Sequence, residues 1–193
     1  MSWQHGLKMP AGRVDFERLK WLGEELLLAL GEDPTEPRIK DTPTRWAKWW
    51  REFIEHDPGK VETTFATEAT DQMVVVSGMK VWSLCEHHLL PFWAEVSIGY
   101  IPNGKVLGLS KFGRIAKGIA SRLQIQERMV QQIAAEVMRL TGSPDVAVLA
   151  QGEHLCMTMR GVRTPSIMTS SVMEGVFRDR PETRSEFMSI AKR

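Results

Sequence analysis

The chain has 193 residues, 42% of them hydrophobic and 25% charged. That length and composition fit a single globular domain whose core needs no disulfide staples, and they argue against disorder. Lys and Arg number 25 against 24 Asp and Glu, a formal net charge of +1, which argues against a polybasic nucleic-acid binder and leaves room for a local basic pocket. No apolar run approaches the ~18 residues that span a bilayer. Met1–Gly12 lacks the charged-then-apolar pattern of a secretory leader. A cytoplasmic protein is therefore expected, with no membrane or nucleic-acid partner. In that compartment Cys85 and Cys156, the only two cysteines, are not expected to form a disulfide.

Phe16, Leu19, Leu22, Leu26 and Ala29 recur at three- and four-residue steps, which predicts a helix over Asp15–Leu30 stopped by Gly31. A second helix is predicted from Thr42-Pro43 to about Ile54, with Thr42 as cap and Pro43 in the first turn. Its Trp46, Trp49, Trp50 and Phe53 read as packing. Val61–Asp71 reads as a loop with a short helix. Strands are predicted over Met73–Leu84 around Gly78, over Phe92–Ile101, and over Lys105–Leu109 after the Pro102-Asn103-Gly104 turn. Helices are predicted at Ser110–Arg122, with Ser110 as cap, and at Gln126–Leu140. Val146–Arg160 reads as one strand or a pair around Gly152, and Pro181–Ala191 as a final short helix. Helices, strands, helices and strands in that order predict an α+β domain with antiparallel pairing.

The chemistry concentrates in two short segments. Ser83-Leu84-Cys85-Glu86-His87-His88-Leu89-Leu90-Pro91-Phe92 places a Cys and a His three apart, and His154-Leu155-Cys156 follows far downstream. Both cysteines and three of the five histidines lie there. A lone Cys is usually a small buried hydrophobe, but thiolate and imidazole are preferred zinc ligands, and the two segments together point to a metal site. Cys85, His88 and Cys156 supply three ligands, the number that catalytic zinc sites use while keeping one position open. His87 and His154 are then left to move protons near neutral pH. Strand alternation predicts that His154, Cys156, Thr158 and Arg160 share one face.

Two further stretches carry weaker signals. Ser110-Lys111-Phe112-Gly113-Arg114 opens a helix, where backbone N–H groups favour an anion, and Lys111 and Arg114 are spaced to bracket a phosphate chain. Arg160, Arg45 and Lys48 are additional cations, each readable as a solvated surface charge. Within Leu123-Gln124-Ile125-Gln126-Glu127-Arg128, the Glu127 carboxylate has the geometry to accept from N1–H and the 2-amino group of guanine, with Gln126 assisting. An ordinary first-turn glutamate accounts for it equally well.

In order, these motifs resemble the zinc-dependent GTP cyclohydrolase I family. The Cys85–Phe92 run is the most specific; Gly99-Tyr100-Ile101-Pro102, Gly108-Leu109-Ser110-Lys111, Gln126-Glu127-Arg128, His154-Leu155-Cys156-Met157, Arg160-Gly161-Val162 and Asp41-Thr42-Pro43-x-Arg45 accompany it. The resemblance runs from about Asp15 to Phe187. It implies the tunnelling fold, an antiparallel four-stranded sheet with helices on one side, joined edge to edge into an oligomeric barrel. It also implies one domain over 1–193, with an N-terminal helical part over 1–60 and a catalytic part over 70–193. The usual assembly is a homodecamer of two pentamers with sites between subunits. By resemblance, Cys85, His88 and Cys156 hold Zn2+. His87 and His154 transfer protons, and Ser110 lies near the ribose. Glu127 and Gln126 hold guanine, and Lys111, Arg114, Arg160, Arg45 and Lys48 hold the triphosphate. The implied reaction takes GTP to 7,8-dihydroneopterin triphosphate and formate, the first step of folate, pterin or 7-deazaguanine routes. Val162–Ser170 departs from the family pattern by looking short, and Trp93-Ala94-Glu95 departs in residue type. The competing readings are a related tunnelling-fold enzyme of deazapurine metabolism, which would lack the zinc triad, and a non-enzymatic zinc-stabilised oligomer.

Overall fold

A computed structural model describes residues 14–68 and 71–191; the Met1–Gly12 segment read above for a leader lies outside them. The described residues divide into two compact units, one up to Asp57 and one from Pro58 onward. Among them no helix is long and apolar enough to cross a membrane.

The first unit is a pair of helices, α1 (Phe16–Ala29) and α2 (Thr42–Ile54). Asp15 caps α1 by accepting from the Arg18 N–H at 3.0 Å. The cap of α2 is Asp41 rather than Thr42, without a side-chain bond, so Pro43 at the start carries that signal. Gly23 of α1 lies against Pro43 and Trp46 of α2. Trp46, Trp49, Trp50 and Phe53 form a chain of edge and stacked ring contacts, the packing role expected of them.

The second unit is built on a sheet. Its elements are β1 (Thr64–Ala66), β2 (Val74–Cys85), β3 (Pro91–Tyr100), β4 (Lys105–Leu107), α3 (Leu109–Ala120), β5 (Leu123–Gln124), α4 (Gln126–Thr141), β6 (Val146–His154), the helical turn α5 (Leu155–Thr158), β7 (Met168–Met173), the short α6 (Val176–Asp179) and α7 (Pro181–Ala191). The main sheet runs β5-β2-β3-β6-β7. β2, β3, β6 and β7 form the expected antiparallel four-stranded sheet, and the two residues of β5 add a parallel edge beside β2. β1 pairs with β4, so the expected short helix in 61–71 is a strand: Thr64, Phe65 and Ala66 find an open edge there. β7 was not foreseen either; the short-looking 162–170 stretch supplies its first residues.

Alternation decides what each face meets. Phe92, Ala94, Val96, Ile98 and Tyr100 of β3 and Val146, Val148 and Ala150 of β6 face the main core with α3 and α4. Ala147 and Leu149 face the opposite side, where Phe177 and Phe187 cover them. The two long helices thus lie on one side, and the C-terminal α7 adds a smaller layer at one end of the other. There Ser97 Oγ donates to the Ala191 carbonyl at 3.1 Å.

Two glycines shape the sheet. Gly78 sits at φ 71°, where the β2–β3 register shifts between Val76 and Met79; a left-handed residue is what this bulge requires. Gly152 stands opposite Ala94, and a Cβ there would lie 2.0 Å from the Trp93 carbonyl oxygen and 2.9 Å from Ala94 Cα. Both atoms are backbone of β3, so side-chain rotation gives no relief. Gly152→Ala is therefore expected to cost about 3 kcal/mol or more, the upper end of overpacking penalties, read as a lowered urea midpoint; an unchanged midpoint would contradict the β3–β6 register.

Candidate metal centre and active site

Two segments far apart in sequence meet at one end of the sheet. β2 ends at Cys85 and the loop 86–90 returns the chain to Pro91. The Cys85 N–H donates to Leu90 O at 2.9 Å, and His88 and Leu89 both donate to Cys85 O. Leu89 lies at φ 56°, a conformation costing a non-glycine residue roughly 1 kcal/mol or more, held by these closing bonds. The tight loop brings Cys85 Sγ to 3.6 Å from His88 Nδ1 and to 3.9 Å from His87 Nδ1.

Cys156 arrives by a route that alternation does not predict. β6 ends at His154, and Leu155–Thr158 turns into one helical turn. His154 pairs with Phe92, and the next β3 residue outward, Pro91, has no N–H to extend the ladder. Thr158 Oγ1 donates to His154 O at 3.0 Å and Met159 N–H to Leu155 O at 3.0 Å, closing the turn. His154, Cys156, Thr158 and Arg160 therefore do not share a strand face: His154 stays on the sheet, and the turn carries Cys156 inward.

One ligand atom each from Cys85, His88 and Cys156 lies within 4.8 Å of the others. Sulfur at about 2.3 Å and nitrogen at about 2.0 Å from one tetrahedral ion stand roughly 3.5–4 Å apart, so the donors fit zinc. Burial pushes the Cys156 thiol pKa up, and the adjacent Cys85 sulfur adds to that rise against the Arg160 guanidinium. A thiol whose ionisation is opposed by burial and a neighbouring sulfur is one that a divalent cation relieves.

The α3–α4 connection is fastened to the same place. β5 pairs with the end of β2, Leu123 beside Leu84 and Gln124 beside Cys85, and Glu86 N–H donates to Gln124 O at 3.1 Å. α4 therefore begins next to the Cys-His loop. Glu127 is exposed in its first turn. Gln126 is fully buried: its Nε2 donates to Ala150 O and Met168 O, both at 3.1 Å, and lies 3.3 Å from Ser170 Oγ. Its Oε1 faces His154 Nε2 at 3.0 Å. Gln126 was expected to assist guanine; here its amide hydrogens have partners inside the fold. His154 also stacks on Phe92, ring centroids 4.3 Å apart and 4° from parallel. Burial lowers its pKa, with the Glu127 carboxylate opposing.

Two of the basic residues share one acceptor. Lys111 is buried and its Nζ donates to Lys60 O at 2.8 Å; Arg114 Nη1 donates to the same carbonyl at 3.3 Å. Ser110 is exposed in the first turn of α3, whose cap is Gly108 rather than Ser110. Arg160 is exposed near Cys156. Arg45 and Lys48 belong to α2 of the other unit, exposed, with Arg45 3.6 Å from the Asp41 carboxylate.

Three contributors escaped the sequence reading. Phe92 gives His154 a stacking partner, although it stands inside the most specific motif. Arg128 pairs with Glu86 and donates to Gln124 Oε1, clamping α4 to the Cys-His loop; that guanidinium holds the Glu86 carboxyl below its usual range. The spacing 86 to 128 carries no local signal for it. The Lys60 carbonyl gathers Lys111 and Arg114, and a backbone atom leaves no mark in composition.

A model of the GTP cyclohydrolase I family matches residues 21–192. The chain is 44% identical over 177 residues to GTP cyclohydrolase 1 of Hyperthermus butylicus, covering 92% of this chain and 91% of that protein. It is 44% identical over 182 residues to GTP cyclohydrolase 1 of Alkalilimnicola ehrlichii, covering 91% and 98%. The crystal structure of the archaeosine synthase QueF-Like in the apo form aligns with 51% of this chain and 91% of that chain at 19% identity and a TM-score of 0.42. The family match spans most of α1, all of α2 and the elements from β1 to α7, and relatives of nearly equal length run alongside it: the chain belongs to the GTP cyclohydrolase I family.

Proposed function

We propose that the protein converts GTP and water to 7,8-dihydroneopterin triphosphate and formate. The observation that carries this reading is the convergence of Cys85, His88 and Cys156, with His87 3.9 Å from the Cys85 sulfur. Zinc held by those three side chains supplies a Lewis acid and lowers the pKa of water toward about 7. His87 donates a proton to the imidazole-ring nitrogen of the purine as the C8–N bond breaks. A second hydrolysis releases C8 as formate. His154 and Ser110 move the protons by which the opened ribose becomes a ketone, and the freed amine closes on that ketone with loss of water. The Glu127 carboxylate accepts from guanine N1–H and the 2-amino group, with backbone groups near Ile125 beside it. Lys111, Arg114, Arg160, Arg45 and Lys48 hold the triphosphate; the Nζ of Lys111 keeps two hydrogens beyond its bond to Lys60 O.

The two units act as one catalytic domain in the cytoplasm, within a homodecamer of two pentamers whose pockets draw on more than one chain. Trp82, half exposed with Lys80 over its ring and that of Trp93, supports this as a face for neighbouring copies. The test is incubation of zinc-analysed protein with GTP, following formate and pterin absorbance together. Both signals should appear, vanish on chelation and return with zinc. Formate without pterin would remove the ribose and closure steps, and neither signal with zinc bound would overturn the reading.

A further inference from the structure

We infer that Gln126 is a positioning residue that fixes the tautomer and ring plane of His154, with the hydrogen on Nε2 and Nδ1 left as the accepting edge; this rests on the proposed role of His154 in proton transfer. The orientation of the Gln126 amide follows from its surroundings. Ala150 O and Met168 O accept only, and both lie 3.1 Å from the same amide atom. That atom is therefore the NH2 group, and the atom 3.0 Å from His154 Nε2 is the oxygen. An amide oxygen only accepts, so His154 Nε2 carries the hydrogen. Phe92, stacked 4° from parallel, fixes the plane of the ring. With one edge and one face held, Nδ1 is the remaining polar edge. Gln126 is the first residue of α4 and Ala150 and Met168 belong to β6 and β7, so three elements set the ring orientation. Such outer contacts select which imidazole nitrogen reacts.

The test combines spectroscopy and kinetics on zinc-loaded full-length protein. In ring-15N-histidine protein at pH 8, above the ordinary imidazole value of about 6.5, solid-state NMR should show the His154 signal, assigned by its loss in His154→Asn, with Nε2 protonated and Nδ1 bare. Gln126→Met, which removes donor and acceptor, should mix the tautomers and lower kcat about 10–100-fold with KM for GTP within about twofold. Gln126→Glu, protonated among carbonyls and able to accept from Nε2–H, should recover at least about a third of that loss on a logarithmic scale. A His154 protonated on Nδ1 in the unmodified protein would overturn the inference, as would a tenfold rise in KM with kcat unchanged in Gln126→Met, the mark of a guanine contact. The spectrum of the unmodified protein decides even where Gln126→Met fails to fold. It also decides where the protein releases no formate from GTP, which separates this inference from the proposed activity.

Discussion

Cys156→Ala is expected to lose zinc and turnover together while keeping its fold. Catalytic zinc sites rest on three protein ligands, and removing one thiolate leaves only Cys85 and His88, two neighbours from one loop. Changes in the groups that merely support ligands already cost roughly 10–100-fold in metal affinity, and loss of a ligand should exceed that range. Turnover should fall by more than about 100-fold with it. The fold should survive because Cys156 sits half-buried in a four-residue helical turn, with the core formed by β3, β6, α3 and α4. Metal content after dialysis, formate release and the urea midpoint form the necessary set. One equivalent of zinc with undiminished turnover would remove Cys156 from the centre.

His87→Ala separates holding the metal from moving protons. His87 Nδ1 stands 3.9 Å from Cys85 Sγ, farther than the 3.6 Å of His88 Nδ1, and its side chain is exposed. The variant should retain zinc at the level of the unmodified protein and lose about 10²–10⁴-fold in kcat, the usual contribution of a positioned general acid. Zinc loss would show instead that His87 coordinates and that His88 is the proton donor. Together the two variants test ligand and acid independently, since one moves metal content and the other does not.

Much of this architecture was legible from local pattern. Pro181–Ala191 and the α2 span followed from periodicity and proline placement, and the three longest strands, β2, β3 and β6, from β-branched and aromatic runs. The metal cluster was legible because thiols and imidazoles are scarce, so their concentration in two segments is informative. Three features were not legible. The helical turn at Leu155 depends on the pairing of His154 with Phe92 next to Pro91, a relation across 62 positions that no window contains. β1 and β7 are short strands whose stability comes from waiting edges rather than from their own composition. Gln126 reads as a helix-start residue beside a recognition glutamate, and only its burial between β6 and β7 reveals that it faces the interior. Each miss is a case of tertiary contact overriding local preference.

The two-residue β5 acts as a ruler. Its pairing beside Leu84 and Cys85, with the Glu86 N–H donating to Gln124 O, fixes where α4 begins relative to the Cys-His loop, and Glu127 follows three positions after Gln124. In a helix each residue turns the side-chain direction by about 100°. One residue inserted after Gln124 would leave the sheet paired yet rotate the glutamate carboxylate off its bearing, whereas an insertion in the exposed 162–167 loop would leave that bearing alone. Tolerance to length change is thus uneven along the chain: it is narrowest over three residues that neither bind metal nor form the core.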